Sequence, residues 1–142
     1  MKSGIKVMDA MTKQPVFVTP EIKVIECSTL MLEEHVGSLI VKEDEKLLGV
    51  LTEKDLVRII SLGIDTKMTE VKRIMTTRIV TISPEKDIYD AILLMNKENL
   101  RRLPVILNDR IIGLITLRDI LTLQPTLFEL ILDKVSIREH RM

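Results

Sequence analysis

Gly49-Val50-Leu51-Thr52-Glu53-Lys54-Asp55 returns, at an offset of 64 residues, as Gly113-Leu114-Ile115-Thr116-Leu117-Arg118-Asp119. The same offset sets Met11-Thr12 on Met75-Thr76, Val16 on Val80 and Pro20-Glu21 on Pro84-Glu85. It also sets Met31 on Met95, Leu39 on Leu103 and Val41 on Val105. No gap is needed from Met11 to Val57. An internal repeat of this length marks one supersecondary unit used twice.

Each copy reads alike. Val16-Phe17-Val18 and Val80-Thr81-Ile82 are short β-prone runs, closed by Pro20 and Pro84. In the second copy Ser83-Pro84-Glu85 predicts a helix start, with Ser83 as N-cap and proline in the first turn. The apolar stripe Ile88, Ala91, Ile92, Met95 follows at i, i+3, i+4, i+7, and the first copy places Val24, Cys27, Ser28 and Met31 there. Cys27 thus overlies Ala91, a small residue facing the sheet, which predicts a buried structural thiol. Two strands come next, Leu39–Val41 and Leu48–Leu51, repeated as Leu103–Leu107 and Ile111–Ile115. Charged turns, Glu43 to Lys46 and Asn108 to Arg110, join them as hairpins. A second helix begins after Thr52 and after Thr116.

The unit is therefore β-α-β-β-α, and the fold class α+β, with two units packed about a pseudo-two-fold axis. Alone, each is too small for a good core. The division predicted is a first repeat with its N-terminal segment over 1–66, a second repeat over 67–124 and a helical tail over 125–142. In the tail, Leu127, Leu130, Ile131 and Val135 follow Pro125 at amphipathic spacing.

Composition narrows the function. The chain is 46% hydrophobic and 30% charged over 142 residues, which indicates a globular protein. Lys+Arg and Asp+Glu both number 21, so no general attraction to nucleic acid or anionic membrane is expected. With no Trp, one Tyr and two Phe, the chain lacks the platforms on which bases stack. The one cysteine rules out an intramolecular disulfide, and no signal-peptide core or membrane-length apolar run is evident, so a cytoplasmic location is expected. His35 and His140 lack partners at ligand spacing, so no metal is expected. His35 falls opposite Asn99 at a helix end, where capping or solvent exposure is expected. No phosphate-loop motif and no nucleophile–base constellation occurs, so no enzyme is expected.

The paired pattern is Met-Thr, then Thr/Ser-Pro-Glu, then Gly-hydrophobic-hydrophobic-Thr-x-x-Asp. Together with Arg101-Arg102-Leu103-Pro104-Val105 it resembles the CBS domain, a unit usually found in tandem. The resemblance covers Val7 to Leu121. It implies a regulatory module that binds an adenosine-containing ligand (AMP, ADP, ATP or S-adenosylmethionine) in the cleft between repeats. It also implies a homodimer, and regulation of an enzyme or transporter. No cofactor is implied, the nucleotide being a regulatory ligand.

The residues make a physical case beside the resemblance. Thr52 and Thr116 each end a strand and begin a helix, where unpaired amides and the helix dipole favour a phosphate. One turn on, Asp55 or Asp119 offers a carboxylate suited to ribose hydroxyls, and in resembling proteins this Asp is the ribose contact. Thr-x-x-Asp is equally a capping box, which a helix uses for stability alone. Arg101, Arg102 and Arg118 give the second copy cations for a phosphate, where the first has Gly37, Ser38 and Lys54. By resemblance, the backbone at Ile79-Val80, or at Val16, lines the adenine slot. The second copy is the preferred site. The competing reading is a dimerising scaffold without ligand.

Overall fold

The computed structural model describes residues 2–123; the predicted tail over 125–142 and His140 lie outside them. The chain forms two compact units. One runs from Pro15 to Ile79, and the other joins residues 2–14 to residues 80–123. These compact units do not follow the repeat division at residue 66. The N-terminal segment belongs with the second repeat, and residues 67–79 stay with the first. Hydrogen bonding is the reason: Thr12 and Leu114 exchange both backbone bonds, at 2.8 and 3.0 Å, and Thr76 and Val50 do the same at 3.0 Å. Each repeat is completed by the segment that precedes the other.

In the Pro15–Ile79 unit, β1 (Phe17–Val18) pairs in parallel with β2 (Ser38–Glu43), which pairs antiparallel with β3 (Lys46–Thr52). The hairpin turns at Asp44 and Glu45, both at positive φ (51° and 69°), as a two-residue primed turn requires. Helices α2 (Val24–Glu34) and α3 (Glu53–Ser61) bury one stripe each. Val24, Cys27 and Met31 meet Leu39, Val41, Leu51 and Ile59, with Val71 of the following 3₁₀ turn closing the cluster. Ser28, expected on the stripe, is half-buried and turns its hydroxyl to the Ile25 carbonyl at 2.7 Å. Helix α2 ends at His35 in the left-handed region (φ 55°), the capping role its alignment with Asn99 (φ 56°) predicts.

In the second unit, α1 (Val7–Ala10) precedes α4 (Ile88–Glu98), β4 (Arg102–Leu107), β5 (Arg110–Thr116) and α5, described over Leu117–Leu123. The stripe Ile88, Ala91, Ile92, Met95 is fully buried with Leu103, Val105, Ile115 and Ile120, and Val7 joins it from α1. Burial of each such aliphatic side chain stabilises by about 1.5–3 kcal/mol. Two expectations fail here. The run Val80–Ile82 is not a strand but a single parallel bridge, Ile82 to Val105. Helix α4 starts at Ile88 with Asp87 as N-cap, not at Ser83. The Ser83-Pro84-Glu85 stretch forms a turn instead. The Pro84 and Lys86 carbonyls beside it accept the amides of Met8 and Val7 at 3.1 and 2.7 Å, so the segment anchors α1.

Candidate functional site

In the second unit, Thr116 ends β5 and Leu117 begins α5. The Thr116 amide donates to Oδ2 of Asp119 at 3.0 Å, and the Asp119 amide donates back to Thr116 Oγ1 at 3.1 Å. This is a full capping box, so the stabilising role of Thr-x-x-Asp is real. The Leu117 amide donates to the Arg101 carbonyl at 3.0 Å. Of the first-turn amides, that of Arg118 has no partner among the described residues. The expectation of several phosphate-binding amides therefore reduces to one. A helix end gathers orphan donors, but here the chain satisfies most of them itself.

Register brings the three arginine positions to the same end of the hairpin. Arg102 opens β4 directly opposite Thr116, Arg101 precedes it, and Arg118 stands exposed on the first turn of α5. Asp119 is half-buried, and its Oδ1 has no hydrogen-bond partner among the described residues. Val80 packs against the core of this unit, whereas Ile79 ends the other. One carboxylate oxygen, one amide and three arginines thus share the Thr116 end of the hairpin.

The corresponding corner of the Pro15–Ile79 unit repeats the frame and fills it differently. Thr52 and Asp55 form the same box at 2.9 and 3.2 Å, and Glu53 donates to the Gly37 carbonyl at 3.2 Å. Asp55 is only 7% exposed. Its Oδ1 accepts from Arg58 Nη2 at 3.2 Å and from Thr76 Oγ1 at 3.4 Å. Lys54 is exposed on the first turn of α3, and Ser38 is buried opposite Thr52. Val16 is half-buried, and its carbonyl accepts the Ile40 amide at 3.0 Å. Sequence reading missed Arg58 and Thr76. Arg58 was legible as an i,i+3 partner of Asp55 on one helix. Thr76 was hidden, because a segment 21 residues away supplies it.

Among the described residues no three His, Cys, Asp or Glu side chains gather as a metal site. Cys27 is fully buried, and desolvation, with the nearby Glu26 carboxylate, pushes its thiol up to about 11. A thiol so shifted is a poor nucleophile. A cavity of about 460 Å³ lies at the hairpin end of the first-repeat sheet, lined by Phe17 to Glu21 and Lys42 to Glu45. It is at the far end of β2 from Ser38 and Thr52, so it does not include the predicted residues.

A family model described as "CBS domain" matches twice, over residues 7–62 and 71–125. The chain belongs to the CBS-domain family and carries two copies in tandem. The CBS domain-containing protein YhcV of Bacillus subtilis is 34% identical over 115 residues, covering 80% of this chain and 81% of that one. The uncharacterized proteins MK0525 of Methanopyrus kandleri and MJ1232 of Methanocaldococcus jannaschii are 31% and 35% identical and longer, and the chain spans 62% and 39% of them. A solved uncharacterized conserved protein from Pyrococcus horikoshii superposes with a TM-score of 0.79 at 30% identity, over 87% of this chain and 94% of that one. The CBS domain pair of MJ0100, solved in complex with 5'-methylthioadenosine and S-adenosyl-L-methionine, has a TM-score of 0.76 at 22% identity, over 84% and 98%. At that identity the likeness concerns the fold. Among the described residues no helix is long and apolar enough to cross a membrane.

Proposed function

We propose that this CBS pair is a regulatory module that senses an adenine nucleotide, with AMP, ADP and ATP as the candidate ligands. The ribose contact is Asp119. The observation that carries this reading is Oδ1 of Asp119, without a partner among the described residues while its Oδ2 is fixed by the Thr116 amide. A carboxylate so oriented accepts a ribose hydroxyl without reorganising. The phosphate meets the Arg118 amide and the cations of Arg101, Arg102 and Arg118. The backbone at Val80 lines the base. Both ligands named for the MJ0100 pair are adenosine derivatives, which supports the same ligand class here.

No catalytic step is needed for this role. Nucleotide binds one conformation of the module better than another, and a partner reads the resulting shift in population. The regulated partner is an enzyme or transporter, and the location cytoplasmic. Titration calorimetry with AMP and ATP tests the site. Asp119→Ala weakens binding by about 1.5–3 kcal/mol, the worth of a hydrogen bond to a charged group. Unchanged affinity in that variant removes Asp119 from the site.

The active form is a homodimer. Helix α3 shows solvent Val57 and Ile60, 68% and 70% exposed, and α2 shows Leu32 at 79%. Val57 and Ile60, three residues apart, share one face of α3, and apolar side chains so exposed favour association. Ile60→Glu converts the dimer to monomer in sedimentation; a wild-type monomer at all concentrations contradicts this.

A further inference from the structure

We infer that Arg58 occupies the first-repeat corner in place of a ligand, so that each chain takes one nucleotide, at Asp119. This rests on the nucleotide reading above and adds its stoichiometry. The two corners share one backbone frame, yet their carboxylates differ in what is left to offer. Asp55 has Oδ2 committed to the Thr52 amide at 2.9 Å, and Oδ1 to Arg58 at 3.2 Å and Thr76 at 3.4 Å. Its side chain is 10% exposed, and the Arg58 guanidinium pairs with it at 3.2 Å. A ribose hydroxyl must displace a charge-assisted bond to reach it.

At the offset of the repeat, Arg58 corresponds to Thr122. Thr122 does not reach the carboxylate; its hydroxyl donates to the Arg118 carbonyl at 2.9 Å. Thr76 corresponds to Thr12; both are exposed, but among the described residues only Thr76 bonds the aspartate of its corner. One substitution, Arg58 for Thr122, and a threonine shared by both repeats but bonded to the carboxylate in only one thus close one corner and open the other. An exposed ion pair is weak, and the Arg58 side chain is 56% exposed. The guanidinium is therefore a removable occupant, not a structural pillar, and its loss leaves the capping box in place.

The test follows backbone amide resonances of Thr52, Lys54, Asp55, Thr116, Arg118 and Asp119 in the full chain as AMP is added. In the wild type only the Thr116–Asp119 set shifts at low AMP. Arg58→Gln adds saturable shifts in the Thr52–Asp55 set, about tenfold tighter than any seen there in the wild type. Thr122→Arg, which supplies the second corner with the same plug, weakens AMP there about tenfold. Equal filling of both wild-type corners overturns the inference while leaving the nucleotide reading intact. So does an Arg58→Gln corner that stays silent when the other saturates. Silence at both corners in all three proteins overturns the nucleotide reading itself, and the inference with it.

Discussion

Met11 lies over Gly113. A β-carbon on that glycine would sit 2.6 Å from the Met11 sulfur and 2.9 Å from the Thr12 carbonyl oxygen. Met75 lies over Gly49 in the same way. Methionine and glycine are two of the motif positions that reveal the repeat, and the structure makes them partners within each compact unit. The glycine allows the incoming segment to pair with the strand, and the methionine fills the space above it.

The two glycines differ in what they protect. Gly113→Ala collides with a backbone carbonyl as well as a side chain, so it costs about 1–3 kcal/mol. At Gly49 the near atoms all belong to the Met75 side chain, which is flexible and can move aside. Chemical denaturation of both variants is expected to show the larger loss at Gly113. A larger loss at Gly49 contradicts the packing described.

Asp55 and Asp119 separate stability from binding. Asp55→Ala removes a buried carboxylate that closes a capping box and holds Arg58 and Thr76, so a loss of about 2–3 kcal/mol is expected. Asp119→Ala loses its capping box alone, about 1 kcal/mol. Thermal unfolding without ligand measures both, and equal losses are inconsistent with this account.

Asp87 predicts an acid-sensitive step. Burial raises its pKa, but the Tyr89 amide, the Ser3 amide and hydroxyl and the Gly4 amide outweigh that and bring it below the ordinary 3.8. The folded state therefore prefers the carboxylate. Its contribution is full above the unfolded value and fades as pH falls through the lower folded value. Asp87→Asn is expected to lower stability at neutral pH, with the gap to wild type closing in strong acid. A gap that widens on acidification excludes this role.

Cys27 is expected to stay unmodified by a thiol reagent at pH 8 in the native protein and to react fully in denaturant. Its pKa of about 11 and complete burial both withhold the thiolate. Rapid native labelling means the thiol is not buried as described.

Much of this was legible in the sequence, for specific reasons. The offset set like on like, so both β2–β3-type hairpins, the Ile88–Met95 stripe, the buried Cys27 and the cap at His35 all emerged from pattern. An offset does not say which segment packs on which strand. Thr12 and Thr76 had to be seen paired with Leu114 and Val50 before the exchange of segments was visible. Ser83-Pro84-Glu85 imitates a helix start, but Asp87, bonded to Tyr89, Ser3 and Gly4, satisfies more donors and sets the boundary. At the site, Thr-x-x-Asp was readable as a box. Whether its carboxylate kept an oxygen free depended on Arg58 and Thr76, and how many amides were left for a phosphate depended on the loop carbonyls of Gly37 and Arg101.

The most direct test of the central claim is thermal unfolding of the purified chain with AMP, ADP, ATP, GTP and S-adenosylmethionine in turn. A ligand at about 100 times its dissociation constant stabilises by roughly 2.7 kcal/mol, a rise of several degrees. A rise with adenine nucleotides, absent with GTP and lost in Asp119→Ala, is the predicted result. No rise with any of the five, or an equal rise in Asp119→Ala, contradicts it.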